Sequence, residues 1–203
     1  MGHSDRPGEI LRFWFAETPR SAFEIDARMA LWFGDEQQLV TIIREQFLDD
    51  VERASRGDLD DWAGHPRSRL ALILLLDRFR RTLHRGTVAT YAKDHEALRL
   101  TVHGIERKHD RELTEIERAF FYMPLQRSES IKVQEFSVRI FGSLLRAADP
   151  SYKATFQTFL DFAQLHRDIV RQFGRFPHRN KTLGRADTAE EQAYLGADLR
   201  GFG

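Results

Sequence analysis

The stretch Leu70-Ala71-Leu72-Ile73-Leu74-Leu75-Leu76-Asp77-Arg78-Phe79-Arg80-Arg81 decides the fold. From Leu70 to Leu76 the run is apolar on every side of a helix. A helix of that kind is the central one, packed by neighbours on all faces. Pro66 suits a first-turn position and Gly86 follows the end, so a helix is expected from Pro66 to Leu83. The apolar run is far too short to span a bilayer, which takes roughly 18 apolar residues. Asp77 comes straight after it. An isolated buried carboxylate is costly, so Asp77 needs a partner. Arg81, four residues on, lies on the same helical face. The pair reads either as a structural ion bridge or as part of a site.

Outward from this core the chain reads as helix nearly everywhere. From Asp35 to Arg56, Leu39, Ile43, Phe47 and Val51 recur every four residues, an amphipathic pattern that Gly57 is placed to end. Asp94 to Lys108 puts Ala97, Leu98, Val102 and Ile105 inward. Thr114 and Glu117 form a capping-box signal for a helix that stops near Pro124. Ser128 opens another, with Val133, Phe136, Ile140, Phe141, Leu144 and Leu145 on its core face. Asp149-Pro150 marks a turn. Tyr152 to Phe173 follows, with a stripe from Phe156 to Phe173. Thr188 and Glu191 cap a short last helix. Ile10 to Phe15 reads as a short buried helix near the start. Trp14, Trp32, Phe33 and Trp62 read as core or hairpin contacts. No segment alternates with period two, so no sheet is expected. Tight connections between long helices make them antiparallel. One domain over residues 1–203 is the reading.

Composition narrows the function classes. The chain has 203 residues, with 31 Lys+Arg against 31 Asp+Glu. That balance argues against nucleic acid, whose binders carry a basic excess, and gives no attraction to a membrane surface. Cysteine is absent, which removes disulfides, thiol catalysis and Cys-ligated zinc. The eight histidines show no ligand spacing, so no metal or other cofactor is expected. Met1 to Asp5 carry no secretory pattern, and a cytoplasmic location is the expectation.

One segment holds the chemistry. Gly174 to Arg185 carries four permanent cations and His178, with no acid. Pro177 and the flanking glycines predict an irregular loop, and loops on rigid scaffolds are where binding groups gather. Arginines present fork-shaped donors to carboxylate or phosphate. The segment is not a nucleotide-cradling loop: Arg179 stands where the second glycine belongs, and a helix precedes it. Asn180-Lys181-Thr182 matches the glycosylation acceptor pattern by chance. Two readings compete: an anion-binding loop, or arginines pinned to acids on neighbouring helices. His166 lies on the apolar stripe of its helix, and reads either as a general base or site hydrogen-bonder, or as a core histidine satisfied by a backbone carbonyl or an acid. Glu129, at a helix start beside Ser128, reads either as an acid favouring the positive end of the helix dipole or as a partner for an arginine of the late loop.

Several pieces carry a family resemblance. Ile10-Leu11-x-Phe13-Trp14-Phe15, Trp32-Phe33-x-Asp35, Leu74-Leu75-Leu76-Asp77-x-Phe79, Phe121 to Leu125, Ser128-Glu129, and Gly174 to Asn180 with Leu183-Gly184-Arg185 resemble bacterial domain of unknown function 924. The likeness runs along nearly the whole chain. It implies an all-α fold of antiparallel helical hairpins stacked as a tetratricopeptide-like superhelix, and carries over no catalytic residue. Arg78, Arg80 and Thr82 stand where the family usually has Gln, Pro and Asn. Arg127 stands where it often has His.

Together these readings predict a binding protein. Arg175, His178, Arg179, Asn180 and Arg185 would recognise an acidic peptide or small anionic ligand, with Asp77, Arg81, Glu129 and His166 beside them. The alternative is an enzyme using His178 or His166 as acid/base, with arginines stabilising negative charge. Oligomeric state is not legible.

Overall fold

A computed structural model describes residues 5–16, 28–29, 31–32 and 36–197. Phe33, Asp35, Met1 to Ser4 and the last six residues lie outside the described residues. The fold is all-α, with no strand among the described residues. Helix α1 (Arg6–Phe15) starts where the Asp5 side chain accepts from the Gly8 N–H at 3.0 Å, and it buries Ile10, Leu11, Trp14 and Phe15. Helix α2 (Glu36–Arg56) follows. Then α3 (Pro66–Leu74) passes through a π-helical turn (Leu75–Phe79) into α4 (Arg80–His84). Every residue from Leu70 to Asp77 is buried. Burying each Leu or Ile there stabilises by about 1.5–3 kcal/mol. Helices α1, α5 (Asp94–Glu106) and α6 (Glu115–Gln126) pack around α3, and α2 packs on the π turn and α4.

The second half is built from consecutive packed helices. Helix α7 (Ile131–Ala147) lies between α6 and α8 (Lys153–Phe173), with a short turn at Pro150–Tyr152 joining α7 to α8. Aromatic rings tie the halves together: Phe120 lies 4.5 Å from Trp32 and 6.2 Å from Phe159 on α8, and the Trp32 indole N–H donates to the Trp14 carbonyl at 3.0 Å. Both capping boxes form, at Thr114/Glu117 and at Thr188/Glu191, where α10 (Ala189–Gly196) begins.

Four expectations shift. Helix α6 does not stop at Pro124 but runs through it to Gln126; Leu125 and Gln126 are buried, and that packing outweighs the missing proline N–H. Helix α7 starts at Ile131, leaving Glu129 outside its first turn. Helix α5 buries Ala97, Leu100, Thr101 and Gly104, while Leu98, Val102 and Ile105 are half-buried. Its register is set by Gly104, where any Cβ would collide with the Phe121 ring and come within 2.8 Å of Arg69 Cδ. The late segment is partly regular: a 3-10 turn (Pro177–Arg179) leads into α9 (Asn180–Leu183).

Candidate functional site

The fold divides the late arginines into two environments. Arg175 and Arg185 each take one carboxylate. Arg175 donates from Nε and Nη2 to the two oxygens of Glu191, both at 2.7 Å, and to the Ala186 carbonyl at 2.9 Å. Glu191 is buried, and the Arg175 bonds with the Thr188 N–H hold its carboxyl down at about 2. Arg185 donates to both oxygens of Glu129 at 2.8 and 3.0 Å and to the Phe176 carbonyl at 3.1 Å. Glu129 also accepts from the Phe176 N–H at 2.8 Å. Burial would raise the Glu129 carboxyl, but these donors outweigh it and leave it below its ordinary value. Asn180, fully buried, donates from its side-chain amide to Asp187 at 2.7 Å. In this outer network each arginine has a carboxylate of its own, and the network ties the late segment to α10 and to the α6–α7 connection.

Arg179 turns the other way. Its guanidinium lies 4.5 Å from the Phe176 ring and 4.8 Å from the Tyr91 ring. It donates to Asp94 at 3.3 Å and to the Arg127 carbonyl at 3.0 Å. Asp94, at the start of α5, also accepts from Arg81. Arg81 donates from Nε to Asp77 at 2.9 Å, and Arg127 Nε stands 3.4 Å from the same Asp77 oxygen. Three guanidiniums, those of Arg81, Arg127 and Arg179, therefore converge on two carboxylates. Arg78 sits beside Asp77 with its guanidinium on Trp14 and donates to the Trp32 carbonyl at 2.5 Å.

Burial and charge act against each other here. Burial alone would raise the Asp77 carboxyl, but Arg127, Arg81 and Arg78 outweigh it and the group lies below its ordinary value. Burial raises Asp94, with Arg81 and Arg179 opposing. Burial pushes Arg179 down to about 10 even beside Asp94, and lowers Arg127 as well. Surplus positive charge held out of water is costly. The side chains are nonetheless reachable from solvent, with 8% of Arg179, 15% of Arg81 and 19% of Arg127 exposed.

His166 and His178 border this cluster. His166 Nδ1 is 3.0 Å from the Gln126 amide oxygen, and its ring packs edge-on to Phe176 at 5.5 Å. Burial, then Arg127, His178 and Arg179, push its imidazole down to about 3. Burial and the same arginines push His178 down to about 4. Both are neutral near pH 7.

The structure thus gathers Asp77, Arg81, Arg179, His166 and His178 in one place. It sets Arg175, Arg185, Asn180 and Glu129 in the adjoining outer network. Sequence reasoning missed Asp94, Tyr91 and Gln126 as members of the cluster, and passed over Arg127 and Arg78. Arg78 and Arg127 are two of the positions where the chain departs from the family pattern, and that was the available signal. Among the described residues, no group of three or more His, Asp or Glu is placed to hold a metal ion. No described helix is long and apolar enough to cross a membrane.

The fold defines an all-helical protein, and comparison with known proteins gives its family. The model of the family described as "Bacterial protein of unknown function (DUF924)" matches residues 10–198, and the chain belongs to that family. It is similar to a solved protein of unknown function, ATU0120, from Agrobacterium tumefaciens. The two share 35% identity over 94% of this chain and 96% of that one, with a TM-score of 0.79. No curated protein matches the chain.

Proposed function

We propose that the protein binds a small ligand through one anionic group, a carboxylate or a phosphate, received by Arg179, Arg127 and Arg81. The observation that carries this is the charge count among the described residues: the guanidiniums of Arg81, Arg127 and Arg179 share the carboxylates of Asp77 and Asp94 in a largely desolvated cluster. An anion there would gain charge-assisted hydrogen bonds from donors already fixed, so little ordering entropy opposes it. Arg179 is held between two rings, and the Arg179 Nε and Arg127 Nε atoms are buried without a well-formed hydrogen bond. The packed pairs α6–α7 and α7–α8 support hairpin stacking of the tetratricopeptide kind, whose grooves present such sites. An enzymatic role is less well supported. A general base works best with a pKa near the working pH, and His166 and His178 lie at about 3 and 4.

Titration calorimetry with acetate, methyl phosphate and sulfate, at low and high salt, tests the reading on the wild type and on Arg179→Met. The wild type should bind at least one of the three, and Arg179→Met should bind it at least about tenfold more weakly, the loss of one charged hydrogen-bonding partner. Equal, weak binding in both proteins, erased by salt, would overturn it.

A further inference from the structure

A second feature lies beside the N-terminal half of α3, outside the Arg179 cluster. A cleft of about 420 Å³ opens between the 3-10 turn Asp60–Gly64 and α5. Its floor is Arg69, 3% exposed. Arg69 donates to the Leu100 carbonyl at 2.9 Å, to His109 Nδ1 at 3.2 Å and to the Ala63 carbonyl. All three acceptors are neutral. Fully buried arginines are ordinarily paired with an acid; here burial, then Arg107 and Arg99, weaken its hold on the proton instead.

The walls carry opposite signs. On α5, Arg99 and His103 are four residues apart on one face, and Arg107 continues that row at the helix end. Facing them, Asp60 and Asp61 are exposed. Among the described residues, neither aspartate takes part in an ion pair, nor does Arg107, and Arg99 reaches only Glu96, at 3.9 Å. Cations at a helix C-terminus and acids opening a short turn suit the local dipoles. Local dipoles do not explain a buried guanidinium between them that lines the cleft and has only neutral acceptors.

We infer that this cleft is a separate binding site for a small zwitterion of amino-acid or dipeptide size, its carboxylate towards Arg69, Arg99 and Arg107 and its ammonium towards Asp60 and Asp61. The volume falls in the range of small-molecule sites. The ligand's carboxylate meets guanidiniums that no acid holds closely, since Arg69 has only neutral acceptors and Arg99 stands 3.9 Å from Glu96. The site is independent of the anion reading above, since it shares no residue with the Arg179 cluster.

Calorimetry with glycine and diglycine, against N-acetyl-diglycine and diglycine amide, tests both ends of the ligand. Glycine or diglycine should bind with a Kd in the millimolar range or tighter, and each blocked form at least about tenfold more weakly. Asp60→Asn with Asp61→Asn should abolish discrimination against the acetylated form. Arg107→Gln should reduce discrimination against the amide. These three residues are exposed, so the variants should fold. The discrimination between blocked and unblocked forms should persist in Arg179→Met, whose loss of plain-carboxylate binding would belong to the other cluster, and this separates failure here from failure of the anion reading. Blocked and unblocked ligands bound alike, no binding of any of them, or loss of that discrimination in Arg179→Met would overturn the inference.

Discussion

Arg179 and Arg185 stand six residues apart in one segment and end in opposite situations. Arg185 has a carboxylate of its own, gripped through two hydrogen bonds, and a backbone carbonyl besides. Arg179 shares Asp94 with Arg81, and Asp94 lies in a cluster where guanidiniums outnumber acids. The same residue type is structural in one place and a candidate ligand-binder in the other. What separates them is the local ratio of acids to bases, which depends on residues 85 positions away for Arg179 and 56 for Arg185.

The largest effect should come from removing an acid of the inner cluster. Asp77→Ala leaves Arg81 and Arg127 buried without a shared counter-charge. It should cost about 3–5 kcal/mol in urea unfolding, the scale of a broken buried pair. A loss under about 1 kcal/mol would mean that Asp77 holds nothing together.

The histidines give the next effect. Both imidazoles lie below their ordinary value of 6.5. As pH falls through 6.5 the unfolded chain takes up protons that the folded chain refuses. Their contribution is complete above pH 6.5 and is lost on the way down to about 4 for His178 and 3 for His166. Urea midpoints at pH 7 and pH 4.5 should show the drop, and His178→Gln should flatten it. A midpoint that rises towards acid would reverse the assignment.

Arg185→Met sharpens the contrast between the two networks. It strips Glu129 of its bidentate partner and should lower stability by about 1–2 kcal/mol, with anion affinity unchanged. Arg179→Met should move stability by less than about 1 kcal/mol, because losing one charge relieves the crowding among the guanidiniums while the methionine keeps the ring contacts. Should Arg179→Met destabilise as much as Arg185→Met and leave anion binding intact, the two networks would be one.

Much of the fold was legible because local signals and tertiary packing agree. The Leu70–Leu76 run is as buried as its all-round apolarity demands, and both capping boxes close as read. The misreadings share a cause. Pro124 looks like a stop, but buried Leu125 and Gln126 carry the helix past it. The inward face of α5 is turned by a glycine that admits Phe121, a contact with no local trace. The site was half legible. An acid-free run of cations marked the segment, and Asp77 marked itself by its place beside the apolar run. Which arginine turns inward was not legible, because Asp94, Glu129 and Glu191 decide it from elsewhere in the chain.

A crystal soaked in selenate puts the central claim to the most direct test, through anomalous scattering from selenium. The account predicts a peak within hydrogen-bonding distance of Arg179 and Arg127. A peak confined to Arg175 or Arg185, or none beside Arg179, would contradict it.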